Sequence, residues 1–138
     1  KQPIKYTGAY RLRARVDAPD GGELRLRFGS ADAEVTVGYD SDAGVIFLDR
    51  RQDAVADAMP ETYREIRTAP VDADGSIVLD ILVDASSIEV FTGDGRASLT
   101  SAAYADARAG VTAEASRGAI SIRDLSVTPL AVNDPSAP

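Results

Sequence analysis

Four carboxylates set in strand-like surroundings, Asp49, Asp80, Asp84 and Glu89, are the side chains here whose type and spacing could do chemistry. Two carboxyl groups facing one sugar can cleave a glycosidic bond, one as an acid with a raised pKa and the other as nucleophile or base. The local pattern speaks against that use. Asp80 and Asp84 share one row of a single alternating segment, and Asp84 stands where the segment turns, so solvated or arginine-paired carboxylates are expected. Asp72 and Asp74 ahead of Gly75 raise the question of calcium. No third acidic ligand precedes Asp72, however, and Ile81 occupies the place where a bidentate Glu is needed. Asp-Gly between two strands is read as a hairpin turn, and no metal site is expected.

Composition removes several other chemistries. The 138 residues contain no cysteine and no histidine, so thiol nucleophiles, thiolate metal sites and Ser-His-Asp or Cys-His arrangements are all out of reach. Lys and Arg total 15 against 22 Asp and Glu, a formal charge of −7, which argues against nucleic acid or an anionic membrane as partner. No run approaches the roughly 18 apolar residues of a membrane span, and the opening KQPIKYTGAY lacks the apolar centre of a signal peptide. The chain starts at Lys1 rather than an initiator Met, as expected of a piece of a longer polypeptide whose export signal would stand elsewhere.

The elements that would hold these side chains read as strands. Ile77, Leu79, Ile81 and Val83 form an apolar row with Asp80 and Asp84 on the other; Ile88 and Val90 resume it around Glu89; Gly93-Asp94-Gly95 turns the chain toward Ala97 and Leu99. Ile77 to Ser101 is therefore a β-meander. Upstream, Tyr10 to Val16 and Leu24 to Phe28 alternate with five arginines, and DAPDGG between them suggests a tight turn joining a hairpin. Their arginines are expected to meet carboxylates on neighbouring strands.

Val35 to Tyr39 is a further strand, and Val45 to Arg50, apolar on both faces, is one covered from both sides. Gln52 to Pro60 fits about two turns of helix stopped at Pro60 or, nearly as well, a loop. Tyr63 to Val71 reads as a strand with poor alternation. Ala109 to Ala115 is a small-residue strand, and the last strand changes rows between Ile122 and Leu125, which implies a bulge near Arg123-Asp124. About ten short strands with almost no helix give an all-β fold, a two-sheet antiparallel β-sandwich of jelly-roll, concanavalin-like type. One domain over 1–130 is expected, with a flexible tail at 131–138.

Val83-Asp84-Ala85-Ser86-Ser87-Ile88-Glu89-Val90-Phe91, followed by Gly95 and Leu99-Thr100-Ser101, resembles the V-D-x-S-x-x-E-V-F signature of the C-terminal β-sandwich domain of glycoside hydrolase family 32, the invertases, levanases and inulinases. Val37-Gly38-Tyr39-Asp40, then Val45 to Leu48 and Asp49-Arg50-Arg51, is similar to that family's V-x-Y-D, strand, D-R order. The Ser-Gly pair the family commonly has soon after the Asp-Arg is absent. The resemblance runs from about Tyr10 to Leu130, and a related fold is carbohydrate-binding module family 66, which recognises terminal fructose.

The resemblance implies a non-catalytic module. In family 32 the catalytic groups lie on an N-terminal five-bladed propeller, in W-M-N-D-P-N-G, R-D-P and E-C motifs that this chain lacks; Asn133-Asp134-Pro135 echoes only the middle of the first. The implied partner is that propeller, the implied location of the parent is extracellular, and no cofactor is implied. If the domain itself binds fructan or fructose, the implied candidates are Asp84, Glu89, Arg50 and Tyr39, where family-like motifs and polar chemistry coincide. Fructose offers many hydroxyls and a small ring, so Asp, Glu and Arg can recognise it without a broad Trp surface. Against this stands a plainer use, with Glu89 and Arg50 forming a structural ion pair or docking the propeller. An autonomous sandwich enzyme is the third alternative.

Overall fold

The computed structural model describes residues 9–30, 32–53, 55–71, 75–84, 86–93, 95–102 and 110–130. Alternation builds its strands. In β1, Tyr10–Asp17, the side chains of Tyr10, Leu12, Ala14 and Val16 are buried while Arg11, Arg13 and Arg15 are exposed. β2 (Glu23–Ser30), β3 (Ala33–Asp40) and β4 (Val45–Gln52) follow. Two 3-10 turns, Ala56–Ala58 and Glu61–Arg64, lead to the short β5 (Arg67–Pro70). The meander is β6 (Ser76–Val83), β7 (Ser87–Thr92) and β8 (Ser98–Ala102), and β9 (Val111–Arg117) and β10 (Ser121–Pro129) complete the chain.

Two five-stranded sheets result, in the orders β10-β1-β6-β7-β8 and β5-β4-β3-β2-β9. Every pairing is antiparallel. The inner rows meet in one core that includes Leu12, Phe28, Val37, Leu48, Leu79, Ile81 and Val90, all at most 1% exposed. Burial of these rows, at about 1.5–3 kcal/mol for each large side chain, is the force that closes the sandwich. Among the described residues no helix is long and apolar enough to cross a membrane.

The β-sandwich and the meander are as the sequence suggests, β4 is covered on its inner face only, with Phe47 on its outer face shielded by the Arg25 side chain, and three further expectations need correction. β1 and β2 are not a hairpin: they lie in different sheets, and the connection after Asp17 arches across the end of the sandwich. Ala18 is 1% exposed there and its N–H donates to the Gly75 carbonyl at 2.6 Å, so the segment prolongs the pairing of β1 with β6 rather than closing a tight turn. Of the two readings of Gln52 to Pro60 the helix is the one corrected and the loop the one found: its described residues hold a single 3-10 turn, Ala56–Ala58, and Asp53 accepts the backbone N–H of Val55 ahead of it. Tyr63 to Val71 is strand only from Arg67; Tyr63 itself sits in a 3-10 turn with its ring buried.

The arginine rows do find carboxylates. Arg11 forks onto Asp80 of the neighbouring β6, Arg27 makes one bond to Glu34 of β3 at 3.1 Å, and Arg25 makes one bond to Glu23 of its own strand at 2.6 Å. The bulge in the last strand is also present: Arg13 faces Ser126 and Arg15 faces Arg123, so Asp124 and Leu125 together stand opposite Ala14. Asp124 takes φ 54°, the left-handed region that an Asp enters at modest cost. The expected tail, 131–138, and the Asp72–Asp74 pair lie outside the described residues.

Candidate functional site

Asp84 ends β6, and its carboxylate organises the reversal into β7. Oδ1 accepts the backbone N–H of Ser86 and of Ser87, each at 2.8 Å, while the Asp84 N–H donates to the Ser87 carbonyl at 3.1 Å. Asp does this because its short side chain can imitate a turn in the backbone. Partial desolvation pushes the carboxyl up, but the N–H donors of Ser86 and Ser87 outweigh it and hold Asp84 below the usual range.

Glu89 is on the outer row of β7, opposite Leu82 on β6 and Thr100 on β8. With Asp84, Ser87, Leu82 and Leu130 it lines a shallow recess of about 180 Å³. These two carboxylates are the pair that the fold brings together.

Arg50 and Tyr39 are elsewhere. Tyr39, 1% exposed, belongs to the inner row of β3 and packs in the core. Arg50, 7% exposed, points between the sheets from β4. Its Nε donates to the Tyr63 carbonyl at 2.8 Å, and its Nη1 to Ser101 Oγ and the Ala102 carbonyl, both at 2.7 Å. The guanidinium lies over the Tyr63 ring, 3.6 Å from its centroid. Arg50 thus ties β4 of one sheet to β8 of the other. It does not face Glu89, since Ser101 is on the inner row of β8 and Glu89 pairs with the outer-row Thr100.

The side chains that complete this inter-sheet bridge escape sequence reasoning. Tyr63 donates its hydroxyl to Asp53, which is itself 6% exposed. Asp53 also accepts the Val55 N–H at 3.1 Å, and its own N–H meets the Arg50 carbonyl at 3.1 Å. The available hint is the spacing of Arg50 and Asp53 within DRRQD, three residues apart on the strand end.

The other two carboxylates face water on opposite sides of the sandwich. Asp80 is held low first by its hydrogen bonds from Arg11. Burial pushes Asp49 up, yet Arg51, whose Nε and Nη2 reach it at 2.9 and 2.7 Å, brings it below the usual range. Asp17, Glu23 and Asp40 are lowered too. A glycosidase acid must be displaced upward, so depressed, arginine-bound or turn-bound carboxylates are the wrong kind for that role. Among the described residues no group of three acidic side chains is placed to hold a metal ion.

A second surface feature lies along the lateral edge formed by β9 and β10. The inner row of β9 carries Val111, Ala113 and Ala115, paired with Phe28, Leu26 and Leu24. The two alanines are too small to fill the space between the sheets. An apolar cleft of about 240 Å³ opens there, with Leu12, Leu24 and Leu26 at its floor and Ile122 and Leu125 at its rim. The bulge leaves Leu125 49% exposed.

Comparison with known proteins gives consistent results. The family described as glycosyl hydrolases family 32 C terminal matches residues 3–129. A levanase of Bacillus sp. (strain L7) is 33% identical over 105 residues, which are 72% of this chain and 11% of that enzyme. A levanase of Bacillus subtilis (strain 168) is 29% identical over 127 residues, 88% of this chain and 19% of that enzyme. The crystal structure of the exo-inulinase from Aspergillus awamori superposes with a TM-score of 0.73 at 25% identity, covering 93% of this chain and 26% of that one. This chain therefore spans only 11–19% of the length of these two levanases.

Proposed function

The chain belongs to the C-terminal domain family of the family 32 glycosyl hydrolases, and we propose that it is the non-catalytic β-sandwich module of a parent acting on β-fructofuranosides such as levan, inulin or sucrose. In that parent it packs against a catalytic propeller and supports it. The observation that carries the supporting role is the apolar cleft between β9 and β10, which is lined by the core leucines Leu12, Leu24 and Leu26 and beside which Leu125 projects half exposed from a bulge. A free-standing sandwich would gain by closing such an edge, whereas a docked module buries it against its neighbour.

The experiment is a Leu125→Asp substitution in the polypeptide that carries this chain. Leu125 is half exposed, so the isolated domain should change in stability by no more than about 0.5–1 kcal/mol. In the whole polypeptide the charge would be buried at the interface, and calorimetric unfolding should split from one transition into two. A single unchanged transition would take this edge out of the interface.

A second reading, recognition of terminal fructose, is favoured by the recess that Asp84 shares with Glu89. Its volume is below the roughly 300–1,000 Å³ of ordinary small-molecule sites, which leaves room for one sugar ring. On this reading, calorimetric titration with levan or fructose gives heat that disappears in Glu89→Gln. Absence of heat across millimolar sugar sinks it.

A further inference from the structure

We propose that the arginine-lined cleft where β6 begins is a binding site for a small oxyanion, a carboxylate or phosphate group on a molecule of about sugar size. The cleft encloses about 560 Å³, within the range of small-molecule sites. Arg13 and Arg15 from the outer row of β1 and Arg96 from the β7–β8 connection line it, above a floor that includes Ile77, Val78 and Val71. Among the described residues that line it there is no carboxylate. Gly93 keeps the floor low: a Cβ there would come within 2.7 Å of Val78.

Arg13 differs from most of the strand arginines. Arg11, Arg25, Arg27, Arg51, Arg117 and Arg123 each close an ion pair with a carboxylate. Asp80 is the register partner of Arg13, yet its carboxylate is occupied by the fork of Arg11. Arg13 closes no ion pair with any described residue, and Arg15 reaches Asp124 only at 4.0 Å.

In a chain of net charge −7 with carboxylates in excess, the Arg13 and Arg15 guanidinium groups gathered in a cleft whose described lining residues include no acid form a local positive field. Guanidinium forks match the planar or tetrahedral oxygens of carboxylate and phosphate, and the apolar floor suits the carbon skeleton that bears them. This site is on a different part of the surface from the docking edge, so it stands or falls independently of the supporting role.

The test is calorimetric titration of the intact chain with citrate and, separately, with inorganic phosphate. Sodium chloride at matched ionic strength and neutral fructose serve as controls. Saturable binding is expected for at least one of the two anions, and which one binds separates an organic carboxylate from a phosphate. Arg13→Gln should weaken it by about tenfold, the loss of one charge-assisted contact, and the Arg13→Gln/Arg15→Gln pair should abolish it. Because Arg13 is exposed and makes no ion pair with described residues, the single variant should melt as the native chain does.

Three results overturn the proposal: chloride matching the anions, binding undiminished in Arg13→Gln, or binding that appears only in Asp72→Asn/Asp74→Asn. The last would mean that the chain already neutralises its own arginines, since Asp72 and Asp74 are among the three residues joining Val71 to Gly75.

Discussion

Replacing Arg50 by Met should lower the stability of the isolated domain by about 3–5 kcal/mol, the loss expected when a buried charged hydrogen-bonding hub is removed. Three hydrogen bonds disappear, leaving the Tyr63 and Ala102 carbonyls and Ser101 Oγ beside an apolar side chain. Each bond to a charged donor is worth about 1.5–3 kcal/mol, although the sum is reduced because burying the guanidinium was itself costly. The stack on Tyr63 adds a cation–π contribution of about 2 kcal/mol when desolvated.

Arg50→Lys should fall between Met and the native residue, since an ammonium supplies charge without the planar fork. Urea unfolding reads the change as a lower midpoint at constant slope. A loss below about 1 kcal/mol would show that Arg50 is not a structural bridge, and a sugar-contacting role would then regain weight. A ligand-binding arginine changes affinity and leaves folding nearly alone; a bridge does the reverse.

Gly38→Ala is the second large effect, with an expected loss of about 2–3 kcal/mol. Gly38 is on the outer row of β3 directly opposite Phe47 of β4, and the Phe47 ring lies across it. A Cβ at Gly38 would overlap the outer atoms of that ring. The Arg25 guanidinium covers the ring from the other side, 5.7 Å from its centroid, so Phe47 is only 8% exposed on a face that otherwise meets water. An added methyl forces the ring out, losing its burial and the Arg25 contact.

In a Phe47→Ala background the same substitution should cost nothing and can gain about 0.4–1 kcal/mol by restricting the unfolded chain. A double-mutant cycle therefore should give strong coupling. Additive losses would mean that the strand backbone, not the ring, demands glycine.

These two positions also mark how far the sequence could be read. The β-sandwich and the meander were legible because period-two rows such as Ile77-Leu79-Ile81-Val83 can bury one face only in a sheet. The arch after β1 was not legible. Alternation assigns a buried face to Tyr10–Val16 and to Leu24–Phe28, but two strands that face each other across a core and two that lie side by side have the same alternation. What decides is Ala18 packed under Gly75, a contact 57 positions away in the chain.

The candidate site was legible in part. Asp84 ahead of two serines reads as a turn, and Glu89 one strand later falls on the same outer row, so their shared recess follows from local geometry. Tyr39 and Arg50 belong to a polar-looking stretch whose inward or outward direction depends on strand register. Tyr39 continues the Val35-Val37 row into the core, and Arg50 continues Ile46-Leu48 to the rim between the sheets. Arg50 could be kept there because Tyr63, Ser101 and Ala102 arrive from 13 to 52 residues away to satisfy it, an arrangement that no local pattern carries.

The supporting, non-catalytic role of this domain is tested most directly by fructose release from levan, inulin and sucrose. Three preparations are compared: this chain alone, the polypeptide that carries it, and that polypeptide with residues 9–130 removed. The expected result is no release by the chain alone, release by the whole polypeptide, and release by the truncated form that decays faster on warming. Fructose formed by the chain alone in proportion to its concentration would contradict the role, as would a truncated form that keeps both full activity and full heat resistance.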